Sequence, residues 1–568
     1  MIPSIAYPLP LGWPDFTPLF FSALLLSLLV AVLALRQVLV NPWRLVRPAL
    51  LFAGLFNLLF QWPSVVFASA FAADLPNVVL FYAAIHLTPL LLIGWVFVSP
   101  RLDVTNGGVG GATFTPWHFV IPIVVLGTAA GLFLARMPFD CTALFAMLAD
   151  PAMTMLAREF TIKFANSTLA TTSYGALVNT AAPIVVALAL WQMMQAVRQR
   201  RPVRCAMWLV LIVIAAGLVL IGGAKGNLVP SFIVAFAAVL GWSNSLRSRA
   251  LAACGLAVAL VSCLVIVELA RERPSGGNGV AYDFPMCTVR LNTCAGSMDL
   301  VASLQRDEAL GLSRQQITDL SRRLALLCRT DAAASDAKGD ARVMVASLGG
   351  ADPWQNLVSA DDLRDRQRYL AVAQVDGATV ALSIQYGPMT ERILPYIGSI
   401  GYRALVVPIQ AAAWHYLYVA EHGAPGLMAL PIGRRLMGGE VINMPQLVYQ
   451  AYGSIYSGGD VTSTSTAPTG FALAYPAYLG VPGVALVVGL LVSFDAVFMM
   501  LAKQLGRPAL PLAGGLAAVS TMNFLLSDFL TSLGSHGGLA AVAIIGMFAL
   551  VERLVTSRGG GGLRGKGG

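Results

Sequence analysis

Charge is scarce in this chain. Only 11% of its 568 residues are Asp, Glu, Lys or Arg, while 57% are hydrophobic. A soluble domain carries about a quarter charged residues. An ion held near the bilayer centre is costly, so long uncharged runs are what a membrane selects. With a mean hydropathy of +0.73, this scarcity excludes a soluble globular protein. Other absences narrow the chemistry. No GxxxxGK[ST] loop is present, which excludes a P-loop ATP-driven pump. Neither HExxH nor any paired-His spacing occurs among the five histidines, so no zinc protease is indicated. Nothing visible asks for a metal or another cofactor. The seven cysteines include no CxxC pair. Cys205, Cys254 and Cys263 fall in apolar runs and read as small hydrophobes. Cys287, Cys294 and Cys328 share one hydrophilic segment; on an oxidising side of the membrane, a disulfide within this trio is expected, leaving one thiol over. The first residues lack a basic n-region, so no cleavable signal peptide is expected and the first apolar run would insert itself.

What is present is a series of apolar runs. A span needs about 20 apolar residues. Runs meeting or nearly meeting that test are roughly 17–36, 49–71, 77–98, 117–135, 174–196, 205–223, 228–243, 250–269, 474–501, 509–533 and 537–553. The net charge of +9 does not point to nucleic acid, because the basic residues sit in short loops between these runs. Arg36, Arg44 and Arg47 follow the first run; Arg198, Arg200, Arg201 and Arg204 the fifth; Arg247 and Arg249 the seventh. Lys503 and Arg507 follow the ninth, and Arg553, Arg558, Arg564 and Lys566 the last. All five clusters share one side if the N-terminus is outside and the C-terminus inside.

The expected fold is therefore an all-α polytopic membrane protein with about 11 transmembrane helices, a re-entrant or interfacial segment and a small outside α+β insertion. Residues 1–270 read as an N-terminal bundle of about eight spans and 271–395 as the outside domain. Residues 396–473 read as a re-entrant active-site region, 474–555 as C-terminal transmembrane helices and 556–568 as a disordered inside tail. Within the insertion, 300–328 has leucines at helical spacing, and 369–386 reads as a hairpin around Asp376-Gly377. Residues 393–420 fit least well. They are apolar enough to enter the membrane, yet both flanks should be outside. Either the segment re-enters or lies at the interface, or a stretch within 424–456 returns the chain. Polar backbone at that depth is tolerated where it lines a protein cavity.

Several residues carry candidate chemistry on the outside. Lys225 lies in the turn GGAKGN. It either snorkels to the headgroups or holds an anion, since the glycines leave backbone N–H groups open and a helix begins there. Arg403 sits inside the anomalous segment; its guanidinium suits a phosphate, a carboxylate or a structural ion pair. His415 follows among Trp414, Tyr416 and Tyr418, either packed or catalytic. Arg434, Arg435, Glu440, Asn443 and Asp460 lie beyond it. The hydroxyl-rich stretch 457–470, with Thr466 in it, suits sugar hydrogen bonding as well as an ordinary loop. Arg136 and Arg158 occupy the outside stretch 136–173.

Two stretches carry a resemblance. One is LVLIGGAKGNLVPSFIVAF. The other runs from Arg403 through TSTSTAPTGFALAYPAYLGVPGVALVVGLLVSFDAVF, with G-x-x-x-x-Y-x-x-Y-x-G-x-x-G on entry to a helix. Together they resemble the oligosaccharide repeat-unit polymerases of the O-antigen polymerase (Wzy-type) family over about half the chain. The large 271–395 insertion has no counterpart in that resemblance.

The resemblance implies a metal-independent glycosyltransferase of the bacterial inner membrane, with the N-terminus periplasmic and the C-terminus cytoplasmic. It would join lipid-linked repeat units on the periplasmic face, with undecaprenyl diphosphate as leaving group. Lys225 and Arg403 would bind that diphosphate, with Arg434, Arg435, Arg136 and Arg158 adding contacts. His415, Glu440 and Asp460 are the candidate bases, and Tyr416, Asn443 and Thr466 the candidate sugar contacts. The first outside loop, ASAFAADLPN, holds only Asp74 and so lacks the acidic pair of metal-dependent polyprenyl-phosphate glycosyltransferases. Implied partners are a lipid-linked oligosaccharide, membrane lipids and other assembly proteins such as a flippase or chain-length regulator. The rivals are a ligase moving a finished glycan to another acceptor, a non-enzymatic lipid-linked sugar transporter or flippase, and a membrane scaffold. A transporter predicts inverted repeats and midplane charge; no internal repeat is visible, and His86, Asp495, Asn523 and Asp528 are scattered.

Overall fold

The computed structural model describes residues 18–66, 75, 77–104, 114, 116–135, 139, 142–149, 168–222, 225–242, 246–271, 342–345, 357–358, 367–375, 378–385, 406–430, 433, 444–453, 470–506 and 508–559. Among the described residues, seven stretches of helix are long and apolar enough to cross a bilayer: Pro18–Val40, Pro48–Val65, Val78–Val98, Trp117–Leu134, Thr172–Arg198, Pro202–Leu220 and Val481–Ala502. Helices satisfy every backbone polar group internally, which lipid requires. The chain is thus a helical membrane protein. Three further apolar helices, Gly226–Trp242, Arg249–Cys263 and Leu510–Leu526, are shorter.

We number the helices α1 (Pro18–Val40), α2 (Pro48–Phe56), α3 (Trp62–Val66), α4 (Val78–Val98), α5 (Trp117–Leu134), α6 (Ala143–Ala149), α7 (Thr168–Ala176), α8 (Ala182–Arg198), α9 (Pro202–Leu220), α10 (Val229–Trp242) and α11 (Leu246–Arg271). After the strands come α12 (Val407–His422), α13 (Met444–Val448), α14 (Phe471–Leu479), α15 (Val481–Ala502), α16 (Leu510–Leu526), α17 (Phe529–Leu533) and α18 (Gly538–Gly559). Single π turns, Asn57–Gln61 and Leu177–Ala181, join α2 to α3 and α7 to α8. Such turns swap one hydrogen-bond register for another and commonly mark functional positions.

Two expected spans are broken. The run 474–501 divides between α14 and α15 at Gly480, whose φ of +68° and ψ of −145° require a residue without Cβ. Pro482 then opens α15, where its missing N–H costs nothing. The run 509–533 divides at Ser527, which is extended. Asp528 then caps α17 by accepting from the N–H groups of Leu530 (2.9 Å) and Thr531 (3.3 Å). Hydropathy does not register either break, because tyrosine, glycine and one aspartate interrupt a run only weakly.

One end of the bundle is closed by a buried ion-pair network. Arg47 is fully buried and reaches Asp495 at 2.7 Å and Asp103 at 3.1 Å; Arg44 reaches Asp103 at 2.6 Å. Asp495 also accepts from the Trp95 indole N–H (2.9 Å) and the Ala49 backbone N–H (3.0 Å). This ties α2, α4 and α15 together. At the same end Glu552 of α18 meets His118 of α5 at 3.0 Å and accepts from the Gly506 N–H, and the Trp242 indole donates to the Pro508 carbonyl at 2.8 Å.

Among the described residues, four strands form one sheet: β1 (Arg342–Val345), β2 (Leu357–Val358), β3 (Gln367–Val375) and β4 (Ala378–Gln385), in the order β2-β1-β4-β3. β3 and β4 pair antiparallel from Gln367↔Gln385 to Val375↔Ala378, and β1 pairs parallel with β4. The helix expected at 300–328 and the cysteines Cys287, Cys294 and Cys328 lie outside the described residues; of the tail expected at 556–568, residues 556–559 continue α18 as helix and 560–568 lie outside the described residues. Cys205, Cys254 and Cys263 are free thiols.

Candidate functional site

The end of the bundle opposite the ion-pair network holds a run of polar contacts. It begins at the Gly-rich turn between α9 and α10, where Lys225–Leu228 form one 3-10 turn ahead of α10. Tyr174 of α7 reaches this turn from the side. Its hydroxyl accepts from the Gly222 N–H at 3.0 Å and from the Asn227 side-chain amide at 2.8 Å, and donates to the Val219 carbonyl at 3.2 Å. Stacking on Phe133, with ring centroids 4.9 Å apart, holds the phenol in place. A Cβ at Gly222 would fall 2.2 Å from the Tyr174 hydroxyl oxygen, so glycine is required there for contact. A Cβ at Gly226, beside Lys225, would meet nothing within 4 Å.

Next to Tyr174, α7 presses its backbone onto the turn between α17 and α18. A Cβ on Gly175 would lie 1.7 Å from the Ser535 carbonyl oxygen. Thr180 donates to the Gly537 carbonyl at 3.1 Å. In that turn, His536 Nε2 lies 3.1 Å from the Ser527 hydroxyl, and the Asn523 amide donates to the His536 carbonyl at 3.2 Å. Burial pushes the His536 pKa down from its ordinary value. The neighbouring Asp528 accepts from the Tyr475 hydroxyl at 2.6 Å. One helical turn on, the Tyr478 hydroxyl lies 2.6 Å from His415 Nδ1. A series of close contacts thus runs from the Lys225 turn to His415.

His415 lies on α12, whose residues Pro408–Leu417 are buried within the protein. The anomalous segment is thus, over that length, a packed internal helix. Counting hydrogen bonds favours one tautomer of His415. If Tyr478 donates to Nδ1, Nε2 carries the ring proton and, among the described residues, is the one group of the pair left without a partner. If Nδ1 donates instead, both Nε2 and the tyrosine proton are left unpaired. Each buried unpaired group costs about 1–3 kcal/mol, so the first arrangement is favoured. Nε2 has no partner among the described residues, and neither does the Tyr416 hydroxyl. In that arrangement His415 presents a hydrogen-bond donor. Its neighbour Tyr416 packs edge-on against Phe81 at 5.1 Å. At the end of α12, Glu421 accepts from the Tyr452 hydroxyl at 2.6 Å, and burial followed by this bond raises the Tyr452 pKa.

The polar residues that looked scattered each have a local role. Asp495 is held by Arg47, Asp528 caps α17, and Asn523 braces the His536 turn. His86 ends a relay. Asn57 donates to the Ser27 carbonyl (2.9 Å) and to Gln61 Oε1 (2.5 Å), and the Gln61 amide faces His86 Nδ1 at 3.0 Å. Sequence reasoning missed Tyr174, Tyr475, Tyr478 and His536. The spacing of Tyr475 and Tyr478 was visible in the motif but carried no partner.

Of the predicted site residues, His415 and Tyr416 are both buried on α12, on neighbouring positions of one helix. Lys225 is placed by its backbone; its side chain lies outside the described residues. Arg403, Arg434, Arg435, Glu440, Asn443, Asp460, Thr466, Arg136 and Arg158 also lie outside them. Among the described residues, no group of three or more His, Cys, Asp or Glu could hold a metal ion. No protein-family profile, curated protein or solved structure matches the chain.

Proposed function

We propose that this membrane protein polymerises lipid-linked oligosaccharide repeat units, transferring a glycan from a polyprenyl diphosphate to an acceptor sugar hydroxyl. One observation carries the reading: the Lys225 turn, braced by Tyr174, lies at the bundle end where the Asp528–Tyr475 and Tyr478–His415 contacts gather. A cation on a fixed glycine turn before a helix is suited to an anion, and a diphosphate leaving group is an anion that gains charge during reaction.

In this reading the acceptor oxygen attacks the anomeric carbon. The bond from that carbon to the diphosphate oxygen breaks, and its electron pair leaves on the diphosphate. Lys225 and Arg403 stabilise the growing charge without a metal, because cations fixed in advance need no reorganisation at the transition state. Arg434, Arg435, Arg136 and Arg158 add contacts to the anion, and Tyr416, Asn443 and Thr466 to the sugars. The acceptor proton passes to a carboxylate, Glu440 or Asp460. His415, with its proton on Nε2, acts as a donor in place of the base. The site faces the periplasm of a bacterial inner membrane, with the five basic loops on the cytoplasmic side.

Lys225→Ala and Arg403→Ala are each expected to abolish chain extension while protein abundance stays near wild type. Glycan length profiles with immunoblots of membrane fractions check this; normal chain lengths in both variants would remove the assignment.

A further inference from the structure

Tyr174 lies on a different helix from Lys225, 51 positions earlier in the chain, and is not one of the residues that would touch a substrate. Its hydroxyl nonetheless engages both flanks of the turn that carries Lys225. It accepts from the Gly222 N–H three residues before and from the Asn227 amide two residues after, and donates to the Val219 carbonyl in the last turn of α9. One oxygen therefore uses its single donor and two acceptor sites to close the turn. Asn227 also lies 3.5 Å from the Val219 carbonyl, which cross-braces the same ends. The ring does not depend on these bonds, because it stacks on Phe133. Hydroxyl and ring thus have separable roles: the ring packs α7 against α5, and the hydroxyl sets where the turn sits.

Gly222 and Gly226 flank Lys225, and glycine gives a backbone wide freedom that a fixed contact removes. An ammonium stabilises a phosphate only if it is already in place when the anion arrives. We infer that Tyr174 is the positioning residue for Lys225, holding the Gly–Lys–Gly turn in the geometry that binds the diphosphate of a lipid-linked substrate. The inference rests on the diphosphate reading given above.

The test uses the full chain in phosphatidylcholine nanodiscs, with hydrogen–deuterium exchange followed by mass spectrometry over residues 219–230. Inorganic diphosphate is titrated in one arm, and undecaprenyl diphosphate is built into the disc in the other. In wild type, diphosphate from at least one source slows exchange across the turn; protection in the lipid arm alone identifies the anchored form as the ligand. Tyr174→Phe keeps the ring and is expected to exchange about tenfold faster across the turn, with α8 and α16 unchanged and diphosphate protection lost. Gly222→Ala, whose Cβ would displace the hydroxyl, should give the same result. Gly226→Ala, with open space at its Cβ, should keep the wild-type basal rate. Lys225→Ala should also keep the basal rate but lose protection.

Wild-type exchange in Tyr174→Phe would overturn the positioning role, whatever the fate of the diphosphate reading. Faster exchange with an unchanged diphosphate midpoint would overturn it too, because the turn would then bind without being positioned. If wild type gains no protection from either source, or Lys225→Ala keeps it, the diphosphate reading fails and the inference falls with it. The Lys225→Ala and wild-type arms tell these failures apart.

Discussion

Tyr475 and Asp528 meet at 2.6 Å, phenol hydroxyl to carboxylate, across the two places where the chain interrupts an apolar run. Tyr475 sits on the short α14 just ahead of the Gly480 break, and Asp528 opens α17 just after the extended Ser527. The bond joins two interruptions into one joint.

Tyr475→Phe removes a charge-assisted bond and leaves the Asp528 cap intact, so a loss of about 1.5–3 kcal/mol is expected. Asp528→Ala removes the bond and the cap together and should cost about 1 kcal/mol more. Thermal unfolding in detergent micelles ranks the two; equal losses would mean that the cap contributes nothing.

Arg47 and Asp495 are both fully buried, with the pair at 2.7 Å. Removing one partner strands the other charge, at a cost of about 3–5 kcal/mol. Asp495→Ala also releases the Trp95 and Ala49 donors. Asp495→Ala is thus expected to deplete folded protein from the membrane, and the double substitution Arg47→Met, Asp495→Leu to recover part of it. Size-exclusion profiles of extracted protein measure both; a monodisperse Asp495→Ala at wild-type yield would contradict the clamp.

His536 gives the joint a pH dependence. Its folded-state pKa is lowered by burial, so unfolded protein takes up the proton first. The stabilisation is complete above the unfolded value of about 6.5 and is lost as pH falls through the lower folded value. The unfolding temperature should therefore drop on acidification below about pH 6.5, and His536→Gln should flatten that drop. The same slope in both proteins would exclude His536 as its source.

Much of the membrane character is legible in the sequence. Apolar run length and charge exclusion are strong, local signals, and α1, α4, α5 and α9 follow them closely. The breaks at Gly480 and Ser527 were not legible, because hydropathy averages over single residues while a helix ends on one φ angle or one cap. Arg47 read as a loop cation setting topology; its burial depends on Asp495, 448 positions away, and no local pattern announces a partner so distant. The Lys225 turn was visible from its glycines. Its brace was not, since a tyrosine on an apolar helix looks alike whether its hydroxyl meets lipid headgroups or a turn. In the sequence Tyr475 and Tyr478 are a spacing alone, and only the fold supplies Asp528 and His415 as what they touch.

The most direct test of the proposed activity is incubation of the purified full chain, in nanodiscs, with an oligosaccharide linked to undecaprenyl diphosphate. No nucleotide sugar is added, and chelator is present. A ladder of products, each longer by one repeat unit and accompanied by release of undecaprenyl diphosphate, is expected from wild type and not from Lys225→Ala. Transfer of a single unit, or an unchanged substrate with wild-type protein, would contradict the assignment of a repeat-unit polymerase.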